Sequence, residues 1–157
     1  FVRLMDAYDI PLIAIVDNEG VNPAEESCCM LRSLAQLAYA YAEAGCPMVS
    51  ILKKAIGEGY TAFSNKQNGA DLVYAYEDSQ IGCLKPQAGS IILFDGAKDK
   101  TQEYEAEFLS ALSAAKQGLV DDIIVPQQLR STLIRAIEVV CNKREAKLQK
   151  KHGVMPL

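Results

Sequence analysis

The sequence predicts an α/β domain in which helices pack on a mainly parallel sheet. Three observations carry that expectation. Two apolar, β-branched runs, Pro11–Val16 and Pro47–Leu52, have the composition of strands buried on both faces. Between them lies a segment rich in Ala, Leu and Met with a broad apolar stripe, long enough for a helical crossover. The second run stops at Gly57-Glu58-Gly59, and this turn leads into sequence of helical character.

Each element follows from local chemistry. Phe1–Tyr8 reads as the last turns of a helix, and because the chain opens on Phe and not Met, its start is expected to be missing. Pro11–Val16 is the first strand and Asp17-Asn18-Glu19-Gly20 a turn. Pro23 suits a first helical residue, and Glu25 and Glu26 suit the positive end of a helix dipole, so a long helix is expected to Glu43, ended by Gly45. After the second strand and the Gly57 turn, a short helix runs through about Phe63. Asp71–Tyr76 and Gln80–Cys83 read as two short strands and Ala88–Phe94 as a helix. The polar stretch Asp95–Lys100 is a loop. One helix is expected over Thr101–Gln117, closed by Gly118, then a strand-like stretch Leu119–Ile124. Pro126 starts a last helix, Gln127 to about Leu148, and the tail from Lys150 is basic before it turns Gly- and Pro-containing.

Composition narrows the function. The chain has 157 residues, half of them hydrophobic, enough for a single domain with a sizeable core. A net charge of −4 argues against nucleic acid or an anionic membrane surface, and no apolar run is long enough to span a bilayer. Five cysteines, with Cys28 and Cys29 adjacent and no CxxC, argue against a disulfide framework or zinc site. They are expected as small buried hydrophobes kept reduced in a cytoplasmic protein.

Side-chain acid–base machinery is sparse. The one histidine, His152, lies in the tail, which excludes a two-His metal site; no metal is expected. His152 reads as a packing or surface residue. Backbone N–H groups at a glycine turn remain, and such donors stabilise oxyanions. Gly57–Ala62 also satisfies a loose G-x-G-x-x-[GA] dinucleotide pattern, with Glu77 and Asp78 near the spacing of a ribose-binding acid. However, the pattern follows the second strand, and the helix after it is too short for a crossover. From these residues alone, a tight turn without a ligand is the simpler reading.

A family resemblance covers nearly the whole chain. Phe1–Val16, Asp17-Asn18-Glu19-Gly20-Val21-Asn22-Pro23, Ala38–Pro47, Lys54–Tyr60, Gly69-Ala70-Asp71 with Ala75-Tyr76, Ala114–Pro126 followed by Arg130, and the terminal Lys151-His152-Gly153-Val154-Met155-Pro156-Leu157 occur in one order. Together they resemble the C-terminal half of the carboxyltransferase subunits of biotin-dependent acyl-CoA carboxylases and decarboxylases. The terminal match implies a natural C-terminus.

That resemblance implies a crotonase-like spiral of mainly parallel strands, with surrounding helices and the C-terminal helices packed outside. Residues 1–157 would be the carboxyltransferase C-terminal subdomain, truncated at its N-terminus, and residues 127–157 its terminal helix and tail. It implies carboxyl transfer between carboxybiotin and an acyl-CoA, in a homo-oligomer served by a biotin carboxyl carrier protein. The amides of Glu58 and Gly59 would form the oxyanion hole. Gly20, Val21, Gly57, Tyr60, Pro86, Gln87 and Ala88 would line the approach of substrate. As a fragment, the chain alone is expected to show no turnover.

Several departures from the family's pattern fall at these turns. Glu19 replaces proline and Val21 phenylalanine, in a D-x-P-G-F-x-P motif. Ile56 replaces tyrosine, Glu58 glycine and Gly59 alanine, in K-A-Y-G-G-A-Y. Leu84-Lys85-Pro86-Gln87-Ala88 stands for M-G-P-E-G-A. Glu58 is read with its side chain turned to solvent at a helix start, where a carboxylate is mildly favourable. Asp17, Glu19 and Lys85 are read as solvated turn residues. A non-catalytic half that keeps the fold for assembly, and more distantly a dinucleotide-binding domain, are the rival readings.

Overall fold

The computed structural model describes residues 1–21, 28–95, 100–145 and 153–156. Helix α1 (Val2–Ala7) leads into β1 (Leu12–Asn18), α2 (Cys28–Glu43), β2 (Met48–Ile56), the single-turn α3 (Glu58–Thr61) and β3 (Leu72–Gly82). Then come α4 (Pro86–Leu93), α5 (Thr101–Tyr104), a π-helical turn (Glu105–Leu109), α6 (Ala111–Lys116), β4 (Asp122–Ile124), a 3₁₀ turn (Pro126–Gln128) and α7 (Leu129–Val140). The four strands form one sheet in chain order, every neighbouring pair parallel. This is the α/β architecture expected, with the last helix outside the sheet.

Burial follows from position in the sheet. β2 is central, and Met48 to Leu52 are buried on both faces. β1 is an edge strand whose burial alternates residue by residue, with Ile13 43% and Ile15 65% exposed. The expectation of a first strand buried on both faces is therefore corrected: within this chain only one face of β1 is covered. The main core lies between the sheet and α6, where Val16, Leu52, Tyr60, Val73, Ile81 and Ala114 pack. A second cluster joins α1 and α2 to the starts of β1 and β2 through Val2, Leu12, Tyr41 and Met48.

Further corrections have local causes. The two strands expected at 71–83 are one, because a four-residue bulge, Tyr76 to Ser79, is spliced into β3 opposite Lys53. The Ser79 hydroxyl donates to Leu52 O at 2.7 Å and accepts the Tyr76 N–H at 2.9 Å, so the bulge leaves these ladder groups paired. The helix expected over Thr101–Gln117 is broken. Ser110 turns extended, bridges Gln80 of β3, and caps α6 by accepting the Ser113 N–H. The last helix ends at Val140, short of Leu148. The long helix ends at Glu43, but Gly45 is not a left-handed cap; its N–H donates to Asp6. Of the cysteines described, Cys46 is buried while Cys29, Cys83 and Cys141 are exposed, so the expectation of buried hydrophobes holds for one. Pro23, Glu25, Glu26 and His152 lie outside the described residues.

Three aspartates from the quoted motifs share one structural task. Asp6 accepts the N–H groups of Gly45 and Cys46, Asp71 that of Met48, and Asp121 that of Val73. All three cap the N-terminal ends of strands, the edge of the sheet away from the Gly57 turn. Asp71 also pairs with the half-buried Lys143 at 2.9 Å. Burial alone would lower the Lys143 pKa, but Asp71 and then Glu145 outweigh it and hold it above the ordinary lysine value. Asp71→Ala is expected to cost about 2–3 kcal/mol in urea unfolding, because it strands one N–H and one ammonium. Asp71→Asn, which can still accept from Met48, should cost about 1 kcal/mol.

Candidate functional site at the carboxyl edge of the sheet

Ligands of open parallel sheets gather beyond the carboxyl ends of the strands. Here three loops meet at that edge: residues 18–21 after β1, Gly57 after β2, and residues 82–87 between β3 and α4. Gly57 has φ 59° and ψ −125°, a conformation closed to residues with a Cβ, and its N–H stays in the sheet by donating to Gly82 O. Its carbonyl accepts from Tyr60 and Thr61, which turns the chain at once into α3. Asn18 holds the first loop by accepting the Gly20 N–H on its side chain at 2.6 Å.

Glu58 does not face solvent. Its Oε2 accepts the Val21 N–H at 3.2 Å. The nearby backbone amides, first its own and then that of Val21, hold the carboxyl below the usual glutamate range, with a further contribution from the Lys85 ammonium and against the opposing effect of burial. Lys85 is likewise no free turn residue, since its Nζ donates to Val21 O at 2.7 Å. Both corrections arise because the β1 loop folds down onto the Gly57 turn. Close approach is possible because residues 20 and 59 are glycines. A Cβ on Gly20 would lie 2.8 Å from Glu58 Oε2, and one on Gly59 would overlap the Asn18 carbonyl oxygen.

A depressed carboxyl pKa has a definite sign in stability. Glu58 contributes stability above its unfolded pKa of about 4.3, and this is lost as pH falls through the lower folded value. Urea unfolding between about pH 5 and pH 3 should therefore show a fall in stability that Glu58→Gln flattens. An unchanged slope in the variant would show that the carboxylate makes no such contacts.

Beside the turn lies a pocket of about 390 Å³, within the size range of small-ligand sites. Of the residues expected to bind substrate, Gly20, Pro86 and Gln87 line it. Glu19, Lys54, Ile56, Gln80, Lys85 and Glu105 line it too; Glu19, Ile56 and Lys85 stood out in the sequence as departures at the turns, whereas nothing there marked Gln80 or Glu105 as site residues. Lys54 pairs with the exposed Glu19, and Asp17 with Lys53, both consistent with solvated turn residues. The π-helical turn was one available sign, since such turns cluster at functional sites and this one places Glu105 on the pocket wall. Gly57 and Val21 follow the lining residues Ile56 and Gly20 in the chain without lining the pocket themselves, and Ala88 is exposed on the first turn of α4. Tyr60, expected at the substrate, is turned away. It is 2% exposed in the main core, its hydroxyl donates to Gln67 at 2.6 Å, and its N–H is spent on Gly57.

The dinucleotide pattern is a tight turn and nothing more in shape, because α3 is four residues long and cannot serve as a crossover helix. Glu77 and Asp78 are exposed on the β3 bulge. Among the described residues no cluster of three or more metal-ligating side chains occurs, and no helix is long and apolar enough to cross a membrane.

The sequence pattern of the carboxyl transferase domain matches residues 1–155, which includes all three loops of the site. The chain belongs to the carboxyl transferase domain family. It is 37% identical to methylmalonyl-CoA decarboxylase subunit alpha of Veillonella parvula, over 100% of this chain and 32% of that protein. It is 38% identical to the corresponding subunit of Propionigenium modestum, over 100% of this chain and 33% of that protein. In structure it superposes on transcarboxylase 12S, solved as a hexamer with methylmalonyl-coenzyme A and methylmalonic acid bound. The TM-score is 0.90 at 33% identity, covering 100% of this chain and 32% of that one. The fold is thus that of the carboxyltransferases, crotonase-like as expected. The chain spans about a third of the length of the curated relatives it matches.

Proposed function

We propose that this carboxyl transferase domain is the C-terminal part of a subunit that moves a carboxyl group between carboxybiotin and the α-carbon of an acyl-CoA. Residues 1–157 form that part, with 127–157 as its terminal helix and tail. The observation that carries the reading is the family match over residues 1–155, loops of the site included. Removing or adding a carboxyl group at the α-carbon of a thioester passes through an enolate, and exchange at biotin places charge on a ureido oxygen. Both need N–H donors rather than side-chain acids. In this reading the amides of Glu58 and Gly59 supply the donors, while Gly20, Val21, Gly57, Pro86 and Gln87 shape the approach, with Ala88 at its rim.

Biotin, brought by a carrier protein, would supply the activated carboxyl group. The pocket is polar-walled and of a size for the reacting end of such a ligand or of a thioester, not for a whole coenzyme A. The open face of β1, with Ile13 and Ile15, suits contact with the rest of such a subunit or with a second copy in a homo-oligomer. A cytoplasmic location fits the exposed, unpaired thiols.

The test is an assay of the subunit containing this chain with a biotin carrier protein and a panel of acyl-CoAs. Carboxyl transfer to or from one of them is the expected result. Binding of a nicotinamide cofactor, with no response to biotin or any acyl-CoA, would overturn the reading.

A further inference from the structure

Three positions at which this chain departs from the family's motifs meet around one residue. Glu58 and Gly59 stand where the motif has glycine and alanine, and Lys85 where it has glycine. Glu58 accepts the N–H of Val21, and Lys85 donates to the carbonyl of Val21, so both backbone polar groups of that residue are held from opposite sides. Gly59 permits the arrangement, because a Cβ there would overlap the carbonyl oxygen of Asn18 and lift the loop. The glutamate and the lysine come from segments 37 and 64 residues away from Val21.

We propose that the Glu58 carboxylate is an internal anion on the Gly57 turn that holds the Val21 amide, and that Lys85 is a positioning residue holding the Gly20–Val21 loop closed over it. The arrangement is a latch, which a ligand oxyanion opens by displacing Glu58. The inference about ligand rests on the carboxyltransferase reading; the latch itself rests on the contacts alone. The carboxylate so held belongs to the turn whose Glu58 and Gly59 amides are assigned to the oxyanion hole. A second negative charge beside it meets repulsion from the first, so Glu58 must leave before charge develops on a ligand. Lys85, at the start of α4, is the cation that faces the carboxylate. Elsewhere on the pocket wall Lys54 is paired with Glu19, and Glu105 adds a further negative charge.

Two measurements on the subunit containing this chain test the latch. The first is hydrogen exchange, read by mass spectrometry on a peptide spanning Val21. Glu58→Gly and Lys85→Met should speed exchange at that amide at least about tenfold. Equal exchange in wild type and both variants overturns the latch. The second is binding of methylmalonyl-CoA, used as a probe. Glu58→Gly should bind it at least about tenfold tighter at neutral pH, and Glu58→Gln, which keeps the shape without the charge, should also bind tighter. As pH falls through the titration of Glu58, wild-type affinity should rise more steeply than that of either variant. Equal or weaker binding by both variants overturns displacement by ligand. Failure of every form to bind any acyl-CoA counts against the carboxyltransferase reading and the ligand step, and exchange at Val21 still decides the latch.

Discussion

Tyr60→Ala is expected to destabilise the chain by about 3–5 kcal/mol, the range for emptying an aromatic site in a packed core. Tyr60 is among the largest fully buried side chains, and it lies against Leu52, Val73 and Ile81 in the cluster between the sheet and α6. It also anchors the turn, since its carbonyl accepts from the buried Asn65 side chain. Truncation leaves a cavity under the Gly57 turn, one of the three segments that make up the site, so a fall in ligand binding should accompany the loss of stability. Tyr60→Phe separates the two contributions. It keeps the ring and gives up only the bond to Gln67, an exposed partner that water can satisfy, and should cost about 1 kcal/mol or less. Urea unfolding of the two variants checks the pair. A loss below about 1 kcal/mol for Tyr60→Ala would place the ring outside the core.

Gly59→Ala should also destabilise, by about 1–3 kcal/mol. The new methyl group would overlap the carbonyl oxygen of Asn18, a backbone atom that cannot swing aside as the end of a flexible side chain does. Relief requires the 18–21 loop to rise, and that loop is tied down by Glu58 and Lys85. The cost should therefore depend on the tie. In the Glu58→Gly background the loop can shift, and Gly59→Ala should become cheaper by about 1 kcal/mol, a coupling that a double-mutant cycle measures. Additive effects would mean that the loop does not transmit the strain.

Much of the fold was legible because its signals are local. The run from Met48 to Leu52, apolar but for Ser50, announced a strand buried on both faces, and it is the central strand. Glycine at 118 closed its helix where the sequence placed it, whereas the helix expected from Ala88 starts two residues earlier, at Pro86. The break at Ser110 was missed because Thr101–Gln117 carries a continuous helical composition. What breaks it is the bridge to Gln80, 30 positions away, although Ser110 as a helix cap was a readable hint. The open face of β1 escaped for a similar reason: Ile13 and Ile15 look like core residues in any local window.

At the site, the sequence identified the turn and the positions where it departs from its family, but not how those positions interact. Glu58 could have faced water or the loop, and residue identity does not choose between them. By itself the sequence determined the parallel α/β class and the Gly57 turn, because strand composition, helix punctuation and a positive-φ glycine act within a few residues of the chain, and its ordered motifs carried the family resemblance. Only the tertiary structure decided that Glu58, Lys85 and Gly59 converge on the β1 loop, and that Tyr60 faces the core. Those outcomes depend on which distant loops meet at the carboxyl edge of the sheet, and strand order sets that meeting rather than any local preference.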